Sequence, residues 1–319
     1  MKNYFFINPA AGQGKGIENL ITEIEAAAET LKMHCRIYVT KGTGDGEMAA
    51  KRAAQELSGE EGRFFACGGD GTLNEVINGV FGFDNVVVGC IPIGTGNDMV
   101  RNFETDGDFL DIGQQLLAGE RRIDLMEYSG VIGGKQQTRY CANMFNIGFD
   151  CNVVELAGRL KKKPLISGSL AYLLAVLGIF IKKEGISLHL IENGETLADG
   201  EVLLCAVANG KYCGGGLKTS PQAVIDDGVF DLNIIRNVPR RVFLRLFTKY
   251  VKGNYLGLPG LEKILTMRRC TGLKLSPKSK EFFLCADGEI SVAESVEFRI
   301  VPQCLRFAVP KKIPERHTE

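Results

Sequence analysis

Short apolar runs alternate with amphipathic stretches through the first third of the chain. Tyr4, Phe5, Phe6 and Ile7 form an uncharged run that stops at Asn8-Pro9, and a Gly-rich stretch from Ala10 to Gly16 follows. Ile17, Leu20, Ile21, Ile24, Ala28 and Leu31 then recur at helical spacing, which predicts an amphipathic helix over 17–32. Strand, glycine loop and helix make a unit, and the unit repeats. Strands are predicted at 36–39, 63–67 and 86–91, with loops at 40–46 and from Gly68, and helices ending near Leu57 and Val80. Short apolar strands read as buried on both faces, and strands joined through helices pair in parallel by right-handed crossovers. An α/β domain with a parallel sheet follows, and ligands of such sheets gather at the carboxyl ends of the strands.

After Asp124 the pattern changes to period-two segments at 201–207, 230–235, 281–285 and 295–300, separated by Asn-Gly, Asp-Gly and Pro-containing turns. We therefore expect an α/β domain over 1–126 and an antiparallel β-rich domain over 127–303. Residues 164–181 are uncharged between Lys161-Lys162-Lys163 and Lys182-Lys183. A membrane-spanning helix needs about 20 mainly apolar residues, and Pro164, Ser167, Gly168, Ser169 and Gly178 shorten this run. A helix of the second domain, buried or facing a membrane, is expected instead of a span.

Composition narrows the partners. The 319 residues carry 38 Lys+Arg against 38 Asp+Glu and are 45% hydrophobic, which fits a globular protein and offers no long-range positive field for nucleic acid. The ten cysteines show no CxxC or CxxH spacing, several lie in apolar runs, and no signal peptide precedes the first strand, so a reduced, cytoplasmic compartment is expected. His34, His189 and His317 stand in unrelated contexts, leaving carboxylates and backbone as the candidate chemistry. One further stripe bears on partners. Arg241, Arg245, Lys249 and Lys252 follow one helical line, with Val242, Phe243, Leu246, Phe247 and Tyr250 on another. Such a helix either lies on an anionic membrane surface or packs on the β-domain with a solvated basic face.

Three glycine loops stand at predicted strand ends: Asn8-Pro9-Ala10-Ala11-Gly12, Gly68-Gly69-Asp70-Gly71-Thr72-Leu73-Asn74-Glu75 and Gly94-Thr95-Gly96-Asn97-Asp98. Glycine lets backbone N–H groups approach an anion, and a following helix adds its dipole and unpaired donors, a combination suited to a polyphosphate. Asp70 and Asp98 would act there through Mg²⁺ or ordered water. Walker-type and GxGxxG readings fail: Gly16 follows Lys15 where Ser or Thr is needed, and Glu47 or Ile17 takes the third-glycine position. Each loop alone also fits an ordinary βα turn.

The segment from Gly68 to Glu75 resembles the signature loop of the diacylglycerol kinase catalytic-domain family. Asn8-Pro9, Ile91 to Asp98, Asp124 and Ala286-Asp287-Gly288-Glu289 resemble its other motifs in order, across essentially the whole chain. Gly-Gly-Asp-Gly-Thr is shared with NAD kinases and phosphofructokinases, so Leu73-Asn74-Glu75 and the second-domain motifs discriminate. The resemblance implies an N-terminal parallel α/β nucleotide-binding domain, a C-terminal antiparallel β-sandwich, and a strand near 304–310 returning to the first domain. It implies ATP lined by Asn8, Pro9, Ala10, Ala11, Gly12, Thr40, Gly69, Asp70, Gly71, Thr72, Leu73, Asn74, Glu75 and Thr95, with Asp70, Asp98 and Asp124 holding Mg²⁺. Lys15 is either a phosphate neutraliser or a solvated loop lysine.

By the same resemblance, Asp287 is the general base toward a lipid hydroxyl with Glu289 in support, while Asp-Gly is also a strong hairpin signal. Asp227, with the carbonyls of Val224 and Val229, corresponds to a structural Mg²⁺ site, or else Asp227-Gly228 is another turn. The implied activity is transfer of the ATP γ-phosphoryl to a membrane lipid, diacylglycerol first, by a cytoplasmic, peripherally membrane-associated protein. A sphingoid base, phosphatidylglycerol or a prenol is the alternative acceptor, and a non-catalytic nucleotide-dependent membrane-surface or regulatory protein the alternative class. Oligomeric state stays open, a homodimer included.

Overall fold

A computed structural model describes residues 1–14, 16–148 and 185–312. The apolar run at 164–181, the lysines at 161–163 and Lys15 lie outside the described residues. The chain divides into two compact units, one formed by Met1–Asp124 with the chain from Gln303 onward, the other by Leu125–Pro302.

In the first unit β1 (Lys2–Ile7), β2 (Cys35–Val39), β3 (Gly62–Gly68) and β4 (Val86–Pro92) are joined by α1 (Ile17–Leu31), α2 (Asp45–Glu56) and α3 (Asp70–Val80). All four strands are parallel, in the order β2-β1-β3-β4, and the end of β14 (Glu289–Val309) adds beside β4, with Arg306 opposite Val87. Both faces are covered, which is why these strands read as unbroken apolar runs. Phe5, Ile7, Phe65 and Val87 pack against Leu20 and Ile24 of α1 and against Ile112 and Leu116 of α4 (Ile112–Leu116). On the other side Tyr4, Phe6 and Phe64 form an aromatic cluster. There α2 and α3 touch closely, since a Cβ on Gly79 would stand 2.4 Å from the Glu47 carbonyl oxygen.

β1 lies between β2 and β3, so the chain leaves β1 toward one edge and β3 toward the other. The carboxyl ends of these two strands are therefore the point where the strand order reverses, the usual ligand position in such sheets. The returning strand is held by Phe307, fully buried and stacked on Phe103, and by Arg306, which donates to Glu61 and Glu120.

The second unit is an antiparallel β-sandwich. β5 (Gly119–Ile132), β6 (Lys135–Cys141), β7 (Met144–Gly148), β8 (Ile186–Glu192), β9 (Glu195–Ala208), β10 (Phe230–Arg236), β11 (Leu265–Cys270), β12 (Gly272–Pro277) and β13 (Phe282–Ala286) precede β14. One sheet path runs β11-β10-β9-β7-β13-β14, while β8 pairs with β9 and with β12, which returns to β14. Tyr128, Phe145 and Phe298 meet edge to face in the core. α5 (Arg240–Tyr250) packs Leu246 and Tyr250 onto Leu204, Ala206 and Ile235.

Candidate active site

The three glycine loops of the first unit converge. Asn8, at the end of β1, accepts from the Ala10 N–H and donates through Nδ2 to Thr72 Oγ1 at 3.1 Å, tying the first loop to α3. The Gly94 N–H donates to the Gly68 carbonyl, and a Cβ on Gly94 would stand 2.3 Å from the Gly69 Cα. A Cβ on Gly12 would meet the Ile93 carbonyl oxygen at 3.2 Å, at a φ of 58°. Glycine at 94 is thus a matter of space: two backbones approach too closely for any side chain.

α3 starts at this junction. Gly69 is its N-cap, in extended conformation with no side-chain cap, so the first N–H groups of the helix have no partner within it. Donors without a helical partner and the positive end of the helix dipole favour an anion at the carboxyl end of β3. Asp70 opens the helix, and its Oδ1 accepts from the N–H groups of Asp98 (2.8 Å) and Met99 (3.2 Å). Its Oδ2 and Asp98 Oδ2 stand 2.8 and 3.6 Å from where a Cβ on Gly96 would lie. The two carboxylates therefore converge over a glycine that leaves room between them. Burial first, and then the Asp70 charge, push the Cys90 thiol up, so Cys90 stays a protonated core group.

The remaining first-unit candidates divide by what they touch. Pro9, Ala10, Gly12 and Thr95 are exposed on the loops, and Thr40 is buried, its N–H on the Ile7 carbonyl. Leu73 and Asn74 are buried on α3, where Asn74 accepts from Asn78. Glu75 acts on a neighbouring helix, where its carboxylate accepts from the N–H groups of Gly44 (2.7 Å) and Gly46 (3.0 Å) and so caps α2. Asn97, at a φ of 57°, donates to the carbonyls of Pro92 and Gly94, while its buried Oδ1 accepts no hydrogen bond from the described residues. Asp124 is fully buried where β5 leaves the first unit and accepts from the Gln303 N–H at 2.7 Å, where β14 enters it.

In the second unit Asp287 and Gly288 form the two-residue turn between β13 and β14, both with positive φ (46° and 88°), the turn Asp-Gly favours. The turn is also more than a hairpin. Asp287 Oδ1 accepts from Asn143 N–H (3.2 Å) and Met144 N–H (2.9 Å), and Oδ2 accepts from Ala142 N–H (3.1 Å). Three successive amides of the β6–β7 turn thus cradle one carboxylate. Burial, followed by the Asp287 charge, pushes the neighbouring Cys141 thiol up. Glu289 is exposed beyond the turn.

Asn143 and Asn209, which the sequence did not bring forward, hold that cradle in shape. The Asn143 carbonyl accepts from the N–H groups of Asn209 and Gly210, its Nδ2 donates to the Tyr212 carbonyl, and Asn209 Nδ2 donates to the Ala142 carbonyl. Their only sequence signal was position, each asparagine standing at the end of an apolar strand or just before one.

The residues expected around a structural metal do not fit one. Arg269 binds Asp227 Oδ2 and reaches Asp231 Oδ1 at 3.7 Å, and Val229 offers Asp227 its N–H. Val224 is exposed. A guanidinium thus already supplies the positive charge beside Asp227. Among the described residues no group of three or more His, Cys, Asp or Glu is placed to hold a metal ion. Asp70 and Asp98 do suit Mg²⁺, which is bound through one or two carboxylates with water and phosphate oxygens completing its shell.

Residues 2–128 match the model of the diacylglycerol kinase catalytic domain, and residues 143–309 match that of the YegS C-terminal NAD kinase β-sandwich-like domain. The chain belongs to the diacylglycerol kinase catalytic-domain family. The diacylglycerol kinase of Bacillus subtilis is 27% identical over 316 residues, covering 97% of this chain and 96% of its own. A probable lipid kinase, YegS-like, of Xanthomonas oryzae pv. oryzae is 28% identical, covering 94% and 95%. A crystal structure of a diacylglycerol kinase from Bacillus anthracis has the same fold, with a TM-score of 0.65 at 19% identity and 96% of each chain covered. At family level the protein is a lipid kinase, and its two-domain α/β and β-sandwich architecture is that of its relatives.

Proposed function

We propose that this lipid kinase transfers the γ-phosphoryl of ATP to the hydroxyl of diacylglycerol at a membrane surface, giving phosphatidic acid. The observation that carries the reading is the junction of Gly69, Gly94 and α3. The first N–H groups of α3 have no partner within the helix, Asp70 and Asp98 carboxylate oxygens stand on either side of Gly96, and the buried Asn97 Oδ1 accepts no hydrogen bond from the described residues. A polyphosphate fits the amides, and Mg²⁺, when bound through Asp70 and Asp98, would neutralise charge building on the transferred group. Phosphoryl transfer needs chiefly such positioning and neutralisation.

The chain's own groups supply the rest. The glycine loops orient the triphosphate, and Glu75 fixes the α2 loop beside them. Asp287 takes the acceptor's proton, and its three amide donors hold the carboxylate in one orientation. Lipid would be collected from a membrane surface; no helix among the described residues is long and apolar enough to cross one. The names of the relatives support diacylglycerol as acceptor.

The test is an assay with γ-phosphate-labelled ATP and separate vesicles carrying diacylglycerol, a sphingoid base, phosphatidylglycerol or a prenol, with product recovered by organic extraction. Label in phosphatidic acid is expected. Label in another lipid alone would replace the acceptor, and label only in water-soluble product would remove lipid phosphorylation altogether.

A further inference from the structure

Between Leu232 and Leu261 the chain carries Arg236, Arg240, Arg241, Arg245, Lys249 and Lys252 and no acidic residue, although the whole chain balances 38 cations against 38 anions. Four of these, Arg241, Arg245, Lys249 and Lys252, follow one line along α5 and just past its end, and all four are exposed. No described ion pair involves them. The opposite side of the helix is occupied: Leu246 and Tyr250 are buried in the sandwich-side core, with Val242, Phe247 and Val251 packed against it. Of the two sequence readings, packing on the β-domain is therefore realised, and it leaves the basic line pointing to solvent.

The placement of the charges works against the helix itself. α5 begins after Pro239 with no side-chain cap and no acid in its first turn, where Arg240 and Arg241 stand instead. Cations at a helix N-terminus oppose the macrodipole, so helix stability does not account for them. The same core ties α5 to the Asp287 turn: Tyr250 packs on Tyr255, whose hydroxyl donates to the Thr219 carbonyl, and Thr219 Oγ1 contacts Met144, an Asp287 donor.

We propose that the exposed line of α5 docks on the anionic surface of a lipid bilayer, by charge and not through Leu246, Phe247 or Tyr250. The partner class rests on the lipid-kinase reading, and charge complementarity selects the anionic headgroups. Each Lys or Arg near such a surface is worth about fivefold in affinity, so losing three costs about 100-fold.

The experiment is sedimentation of the full chain with phosphatidylcholine vesicles, with and without phosphatidylserine, in the absence of ATP. Wild type should bind only the phosphatidylserine vesicles and release at high salt. Arg241→Glu/Arg245→Glu/Lys249→Glu should bind at least about 100-fold more weakly, while Arg241→Lys/Arg245→Lys should bind like wild type. Arg241→Glu alone supplies the folding control, because an acid at that position suits the helix dipole: its melting temperature should not fall while vesicle binding does. Equal binding by the charge-reversed chain, binding to phosphatidylcholine alone, or tighter binding to a single-stranded RNA oligonucleotide would each overturn the proposal. Vesicle binding is read without turnover, so it stands or falls separately from the phosphoryl-transfer assay.

Discussion

Asp287→Asn distinguishes a plain hairpin from the clamp seen here. Asparagine adopts positive φ about as readily as aspartate, so the backbone turn is kept and only the side chain's hydrogen bonding changes. In its better orientation the amide oxygen keeps the Asn143 and Met144 N–H groups, now as neutral bonds. The NH₂ then faces the Ala142 N–H, so one bond is lost and two donors are opposed. Hydrogen bonds to a charged group contribute about 1.5–3 kcal/mol against ~1 kcal/mol for neutral ones. Allowing for water reaching a half-exposed site, the change should cost about 2–3 kcal/mol. For a protein of this size that lowers the melting temperature by about 3–5 °C. Thermal unfolding and urea titration of the pure variant measure it. A melting temperature within a degree of wild type would refute the clamp and return Asp287 to the role of a turn residue. On the proposed role of Asp287, turnover in this variant should fall together with that stability.

Gly94→Ala should destabilise the first unit by about 1–3 kcal/mol and abolish measurable ATP binding in calorimetry, since the new methyl would press on the Gly69 backbone. Glu75→Gln should lose one of the two Gly44 and Gly46 bonds and weaken the other, lowering stability by about 1–2 kcal/mol and raising the KM for ATP. Arg306→Met should flatten the acid side of the stability profile. Arg306 holds the Glu61 carboxyl below its ordinary value near 4.5, first by hydrogen bonding and then by charge. A lowered folded-state value contributes stability above the unfolded value that is lost as pH falls through the folded one. Urea midpoints below about pH 4.5 should therefore depend less steeply on pH in the variant than in wild type.

Local pattern carried much of the fold because its causes are local. The runs at Tyr4–Ile7, 64–67 and 86–91 are apolar because helices cover both faces of β1, β3 and β4, and Ile17, Leu20 and Ile24 recur because one side of α1 meets that sheet. Pairings between distant segments leave no such trace. Arg306 stands beside Val87, and nothing near Arg306 in sequence names that partner. β9 and β14 run for 14 and 21 residues, longer than their apolar stretches, because they pair with successive neighbours along their length.

The candidate site divides the same way. Glycine at 69, 94 and 96 and acid at 70 and 98 are visible as composition, but the convergence of Asp70 and Asp98 depends on loops 28 residues apart. The Asp287-Gly288 turn could be read from two residues, whereas its amide donors lie more than 140 residues upstream. Asp227-Gly228 shows the converse. Its sequence resembled a metal site, and only the fold brings Arg269 onto the carboxylate.

The most direct measurement is mass-resolved analysis of lipid and nucleotide after incubating the protein with ATP, Mg²⁺ and vesicles containing diacylglycerol, alongside Asp70→Ala/Asp98→Ala. Phosphatidic acid and ADP appearing in equal amounts, and failing to appear with the double variant, is the expected result. ADP without phosphorylated lipid, or phosphatidic acid formed equally well by the double variant, would contradict lipid phosphorylation at this site.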